Sequence, residues 1–104
     1  MNLKIDIDRS QIEGFCRRWK ISELAIFGSA LRDDFRPDSD YDFLVRFVPE
    51  ADWSLLDHVR MEMELKDLFG REVDLVSRRA IEQSHNTIRR KAILESAEVI
   101  YAER

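Results

Sequence analysis

A chain of 104 residues, 37% charged and 44% hydrophobic, holds enough apolar material for one core and is read as a single domain over residues 1–104; this balance excludes a disordered polymer and a membrane span. The formal net charge of -4 supplies no general attraction to nucleic acid, so direct nucleic-acid binding is not expected. No apolar run approaches the roughly 20 residues that cross a bilayer, the first residues lack a signal peptide's apolar stretch, and the single Cys16 has no disulfide partner, so a cytoplasmic location is expected.

The first element in chain order is a helix over about residues 9–19, where Ile12, Phe15, Cys16 and Trp19 recur at helical spacing behind an Asp8 N-cap. Leu24-Ala25-Ile26-Phe27 reads as a short buried strand that stops at Gly28. Ser29 to Arg32 could open a brief helix, and the polar stretch 33–39 leads into a second strand, Asp40 to Val48, ended by Pro49. A long helix is expected from Trp53 to Phe69, capped by Asp52 or Ser54 and ended by Gly70. Its apolar positions cover more than half its circumference, which predicts packing on more than one side. Val73 to Val76 is a third strand, a basic helical segment runs from about 80 to 96, and Glu98 to Tyr101 closes the pattern as a last strand. The fold class is α+β, or α/β, with one small mixed sheet flanked by helices.

Side chains two apart on a strand share a face, so Asp40 and Asp42 project together while Tyr41, Phe43, Val45 and Phe47 face a core. Adjacent carboxylates repel unless a cation neutralises them, and Mg²⁺ suits hard oxygen donors shared with substrate phosphates. Gly28-Ser29 complements them: a glycine at a strand end admits close approach of a phosphate, and Ser29 adds a hydroxyl donor. The glycine spacing fits neither a Walker loop nor a dinucleotide fingerprint. If the third strand lies beside the second, Asp74 joins the pair, and three carboxylates can hold two metal ions for in-line phosphoryl displacement.

Gly28-Ser29, ten intervening residues and Asp40-Tyr41-Asp42 resemble the signature of the DNA polymerase β-like nucleotidyltransferases, and the stretch from Phe27 to Val45 resembles their minimal branch, MNT. The likeness covers nearly the whole chain, with Val73-Asp74-Leu75-Val76 as the third acidic strand. One departure is Asp33-Asp34, where the family often has glycine after the residue equivalent to Arg32. The resemblance implies Ser29 on the terminal phosphates, with Gly28 and Arg32 completing the nucleotide cradle. It further implies Asp40 and Asp42 on Mg²⁺, and Asp74 as third ligand or activator of the acceptor. Many minimal members resemble antitoxins that transfer AMP from ATP to a tyrosine of a helical HEPN-domain ribonuclease toxin. That implies a separately encoded partner, either such a toxin or a substrate-binding protein, in a hetero-oligomer or homo-oligomer. Two other functions stay open: neutralising a toxin by occlusion, and nucleotidylating a small molecule beside a separate substrate-binding subunit.

Other polar residues carry plainer expectations. Arg32 and Arg36 either embrace phosphates or pair with Asp33, Asp34 and Asp38. Cys16, His58 and His85 read as ordinary packed or surface residues, and the Arg78-Arg79 and Arg89-Arg90-Lys91 clusters as solvated faces. Trp53, Met61 and Met63 belong either to the core or to a partner interface.

Overall fold

The computed structural model describes residues 8–28 and 40–103. Its elements run α1 (Arg9–Arg18), β1 (Ile21–Phe27), β2 (Tyr41–Phe47), α2 (Leu55–Phe69), β3 (Val73–Ser77), α3 (Arg78–Glu82), α4 (Thr87–Ser96) and β4 (Glu98–Ala102). The strands form one mixed sheet in the order β3-β2-β1-β4, with β1 antiparallel to β2 and β4, and β2 parallel to β3. The small mixed sheet with flanking helices matches the fold class expected above. The expected opening helix at Ser29 to Arg32 lies outside the described residues.

One sheet face carries the larger core. Ile21, Leu24 and Ile26 of β1, Tyr41, Phe43 and Val45 of β2, and Leu75 of β3 pack with Ile12, Phe15 and Cys16 of α1 and Met61 and Leu65 of α2. The other face is also covered: Ala25, Phe27 and Leu44 meet Ile81 of α3 and Ile93 of α4. Asp8 caps α1 as expected, accepting from the backbone N–H groups of Ser10 and Gln11.

Helix α2 starts later than the pattern suggested. Ser54 is its N-cap, in a reciprocal box with Asp57, whose carboxyl is thereby held below the ordinary carboxylate range, chiefly by the Ser54 backbone and side-chain hydrogen bonds. Trp53 stays outside the helix, where its indole N–H donates to the Trp19 carbonyl at 2.8 Å and its ring stands edge-on to Trp19. Gly70 ends the helix in the left-handed region at φ 70°.

Two expectations need correction. The segment from 80 to 96 is not one helix but two, α3 and α4, separated by residues 83–86; Ser77 caps the first and Asn86 the second, each accepting a backbone N–H of its helix. Nor, among the described residues of this chain, does α2 pack on more than one side: Met61 and Leu65 are fully buried, whereas Leu55, Leu56, Val59 and Met63 form an exposed apolar row.

Helix α2 also guards the sheet edge. β3 is an outer strand, and the Leu75 N–H donates to Glu62 Oε2 at 2.9 Å while the Leu75 carbonyl pairs with His58 Nε2 at 2.8 Å. His58 is therefore a structural clamp.

The two faces of α2 make opposite predictions. Leu65→Ala is expected to destabilise the protein by about 2–5 kcal/mol through cavity formation, and Leu55→Ala by no more than about 0.5 kcal/mol. Urea unfolding of both variants checks this pair.

Candidate active site

The site begins with the alternation of β2. Tyr41 and Phe43 are pulled into the larger core, where Phe69 lies edge-on to Tyr41 and tilted against Phe43, each with ring centroids 5.3 Å apart, and the Arg71 guanidinium lies 4.5 Å over the Tyr41 ring. Asp42, between them, must then face the other side of the sheet. The parallel pairing of β2 and β3 sets Asp42 directly opposite Asp74, and the antiparallel pairing with β1 sets it opposite Phe27. Asp74 therefore reaches Asp42 as the strand reading required.

Gly28 closes the third side. Its φ is 79°, a backbone state that side chains resist, and a Cβ built there would overlap Asp42 Oδ2 and lie 3.3 Å from its Cγ. The glycine thus serves both the turn and the closeness of the carboxylate.

Phe27, Gly28, Asp42 and Asp74 line a cleft of about 290 Å³ with Arg89, Ala92, Ile93 and Ser96 of α4. Asp40 stands just before β2, exposed, and is not part of this lining. Ser29 and Arg32 lie outside the described residues. The face of α4 went unrecognised in the sequence, because the basic cluster at 89–91 looks like any solvated run. The missed signal is the i, i+3, i+4, i+7 spacing of Arg89, Ala92, Ile93 and Ser96, meaningful only once Ile93 is known to be buried. Cys16 is remote from the cleft and fully buried; desolvation pushes its thiol up to about 12, so it is no nucleophile.

Among the described residues no group of three or more His, Cys, Asp or Glu side chains is placed to hold a metal. The donors present still suit Mg²⁺, which takes one or two carboxylates and completes its shell with phosphate oxygens and water. Asp42 and Asp74 on adjacent strands, beside a bend with no side chain of its own, are the residues that would supply that partial shell.

A family model described as "Nucleotidyltransferase domain" matches residues 9–100. A Methanocaldococcus jannaschii protein, MJ1217, provisionally named a protein adenylyltransferase, is 36% identical over 78 residues, covering 75% of this chain and 74% of its own. A solved structure assigned as a minimal nucleotidyltransferase is 34% identical with a TM-score of 0.65, covering 86% of each chain. The MNT antitoxin fold also matches in the complex of a tri-AMPylated Shewanella oneidensis HEPN toxin with its MNT antitoxin, at a TM-score of 0.56 and 18% identity over 90% of this chain and 69% of that one. The chain belongs to the nucleotidyltransferase domain family, in its minimal branch, and is a nucleotidyltransferase.

Because Gly28 touches Asp42, adding one methyl group tests the arrangement. Gly28→Ala is expected to unfold cooperatively, with stability lowered by about 1–2 kcal/mol from the strained φ, yet to lose roughly 100-fold in kcat/KM for nucleotide transfer as Asp42 is displaced. Thermal unfolding and steady-state kinetics on one preparation separate the two effects.

Proposed function

We propose that this protein transfers AMP from ATP, with Mg²⁺, to a tyrosine of a separately encoded HEPN-type ribonuclease toxin and thereby acts as its antitoxin. The observation that carries this reading is the Asp42–Asp74 pair on adjacent parallel strands beside the Gly28 bend. The names of the relatives support the acceptor class, since they describe protein adenylyl transfer and an AMPylated toxin.

In this reading Gly28 and Ser29 hold the phosphate chain, with Arg32 beside them, and Asp40, Asp42 and Asp74 carry the metal. Mg²⁺ held there would supply charge neutralisation at the phosphates and would acidify the acceptor hydroxyl. The acceptor oxygen bonds to the α-phosphorus as the bond to the bridging oxygen of the β-phosphate breaks, and pyrophosphate leaves. The hydroxyl proton passes to solvent water, or to Asp74 if that carboxylate is the activator of the acceptor and not the third ligand.

A second body is built into this reading. The cleft of about 290 Å³ among the described residues is small beside the roughly 300–1,000 Å³ typical of small-molecule sites, which supports reading the acceptor as held by a partner. The exposed row Leu55, Leu56, Val59 and Met63 on α2 follows helical spacing and offers an apolar seam for a helix of the partner. The same row would serve a partner neutralised by occlusion alone. Growth rescue by a variant with alanine at Asp40, Asp42 and Asp74 would favour that alternative.

With labelled ATP, Mg²⁺ and the toxin, Asp42→Asn is expected to cut transfer at least about 100-fold, and equal labelling in variant and wild type ends the enzymatic reading. Met63→Glu is expected to weaken toxin binding at least about tenfold by calorimetry, with thermal unfolding unchanged because the side chain is exposed.

A further inference from the structure

Helix α4 supplies the cleft with a charge that the Gly-Ser and Asp-x-Asp pattern does not contain. Arg89 is the one cationic residue among the described residues that line it. Its position is set by the helix: Ile93, one turn on, is buried against the sheet with Phe27 and Leu44, and Ala92 and Ser96 continue the same face. Asn86 fixes the start of this turn by accepting the Arg89 backbone N–H at 3.0 Å.

Its neighbours in the basic cluster are otherwise placed. Arg90 donates to the carbonyls of Glu82 and Ser84, holding the α3–α4 connection. Lys91 is exposed and is not part of the lining. The Arg89 side chain makes no hydrogen bond or ion pair among the described residues, although two carboxylates share its cleft. A guanidinium held on a fixed helix face and left without a partner is available to a ligand.

The charge in the cleft says which ligand. A triphosphate carries more negative charge than one bound Mg²⁺ offsets, so an anionic excess remains on the phosphate chain once the metal is bound. Arginine answers such an excess bidentately and keeps its charge at every relevant pH. We propose that Arg89 binds the β- and γ-phosphates of the nucleotide, setting triphosphate affinity and steadying the pyrophosphate as it leaves. This rests on the nucleotidyl-transfer reading and adds to it a phosphate ligand from the C-terminal helix.

The test is calorimetric titration of the intact protein, with Mg²⁺, using α,β-methylene ATP and AMP as separate probes. Arg89→Gln is expected to weaken the triphosphate analogue roughly 10–100-fold and to leave AMP affinity unchanged; Arg89→Lys is expected to recover part of the loss. Lys91→Gln, which removes the same charge two residues away, is expected to bind both probes like wild type. In steady-state transfer assays the Arg89→Gln loss should appear in KM for ATP as well as in kcat. Wild-type binding with an unchanged Arg89→Gln affinity, or an equal loss in Lys91→Gln, overturns the role of Arg89 alone. Absence of triphosphate binding by wild type overturns the nucleotidyl-transfer reading together with it.

Discussion

Everything at the site depends on the register of β2. Tyr41, Phe43 and Val45 are committed to the larger core, and strand geometry then leaves Asp42 no choice of face. A slip of one residue would put the carboxylate among aromatic rings and move Tyr41, Phe43 and Val45 to the face that α3 and α4 cover. The burial of the aromatic face therefore holds the carboxylate in place, and the Phe69 and Arg71 contacts to Tyr41 strengthen the anchor beside it.

β3 poses a different problem, because an outer strand exposes backbone groups on one side and has no second neighbour to hold it. The solution lies on α2, where His58 and Glu62 occupy adjacent turns and satisfy the Leu75 carbonyl and N–H. Asp74 is the residue just before that clamp. The helix thus sets the outer carboxylate indirectly, while its opposite apolar row is exposed. One element serves folding and site geometry, and in the proposed reading its bare row receives the partner.

Electrostatically the cleft is a balance awaiting its ligand. The carboxylates of Asp42 and Asp74 favour a divalent cation, Gly28 leaves room for the Asp42 carboxylate beside it, and Arg89 of α4 lines the same cleft with the opposite charge. Catalysis of phosphoryl transfer needs mainly such positioning and charge stabilisation. A domain of this size can supply both while leaving the acceptor to its partner.

The local pattern along the chain already determined much of this. Alternation in Tyr41-Asp42-Phe43-Leu44-Val45, the strand stop at Gly28, the caps Asp8 and Ser54 and the helix end at Gly70 are short-range signals, decided by neighbours within a turn or two. They made the strands, the first helices and the acidic motif legible. The break between α3 and α4 was harder to see, because only the short polar stretch 83–86, ending in the Asn86 cap, interrupts a run that reads as helical on either side. Only tertiary structure decided that Asp74 stands opposite Asp42, that one row of α2 is buried and another bare, and that Arg89 turns toward the cleft while Arg90 and Lys91 do not. Those outcomes are fixed by contacts between residues tens of positions apart, and periodicity within a single segment carries no information about what the neighbouring segment places against it.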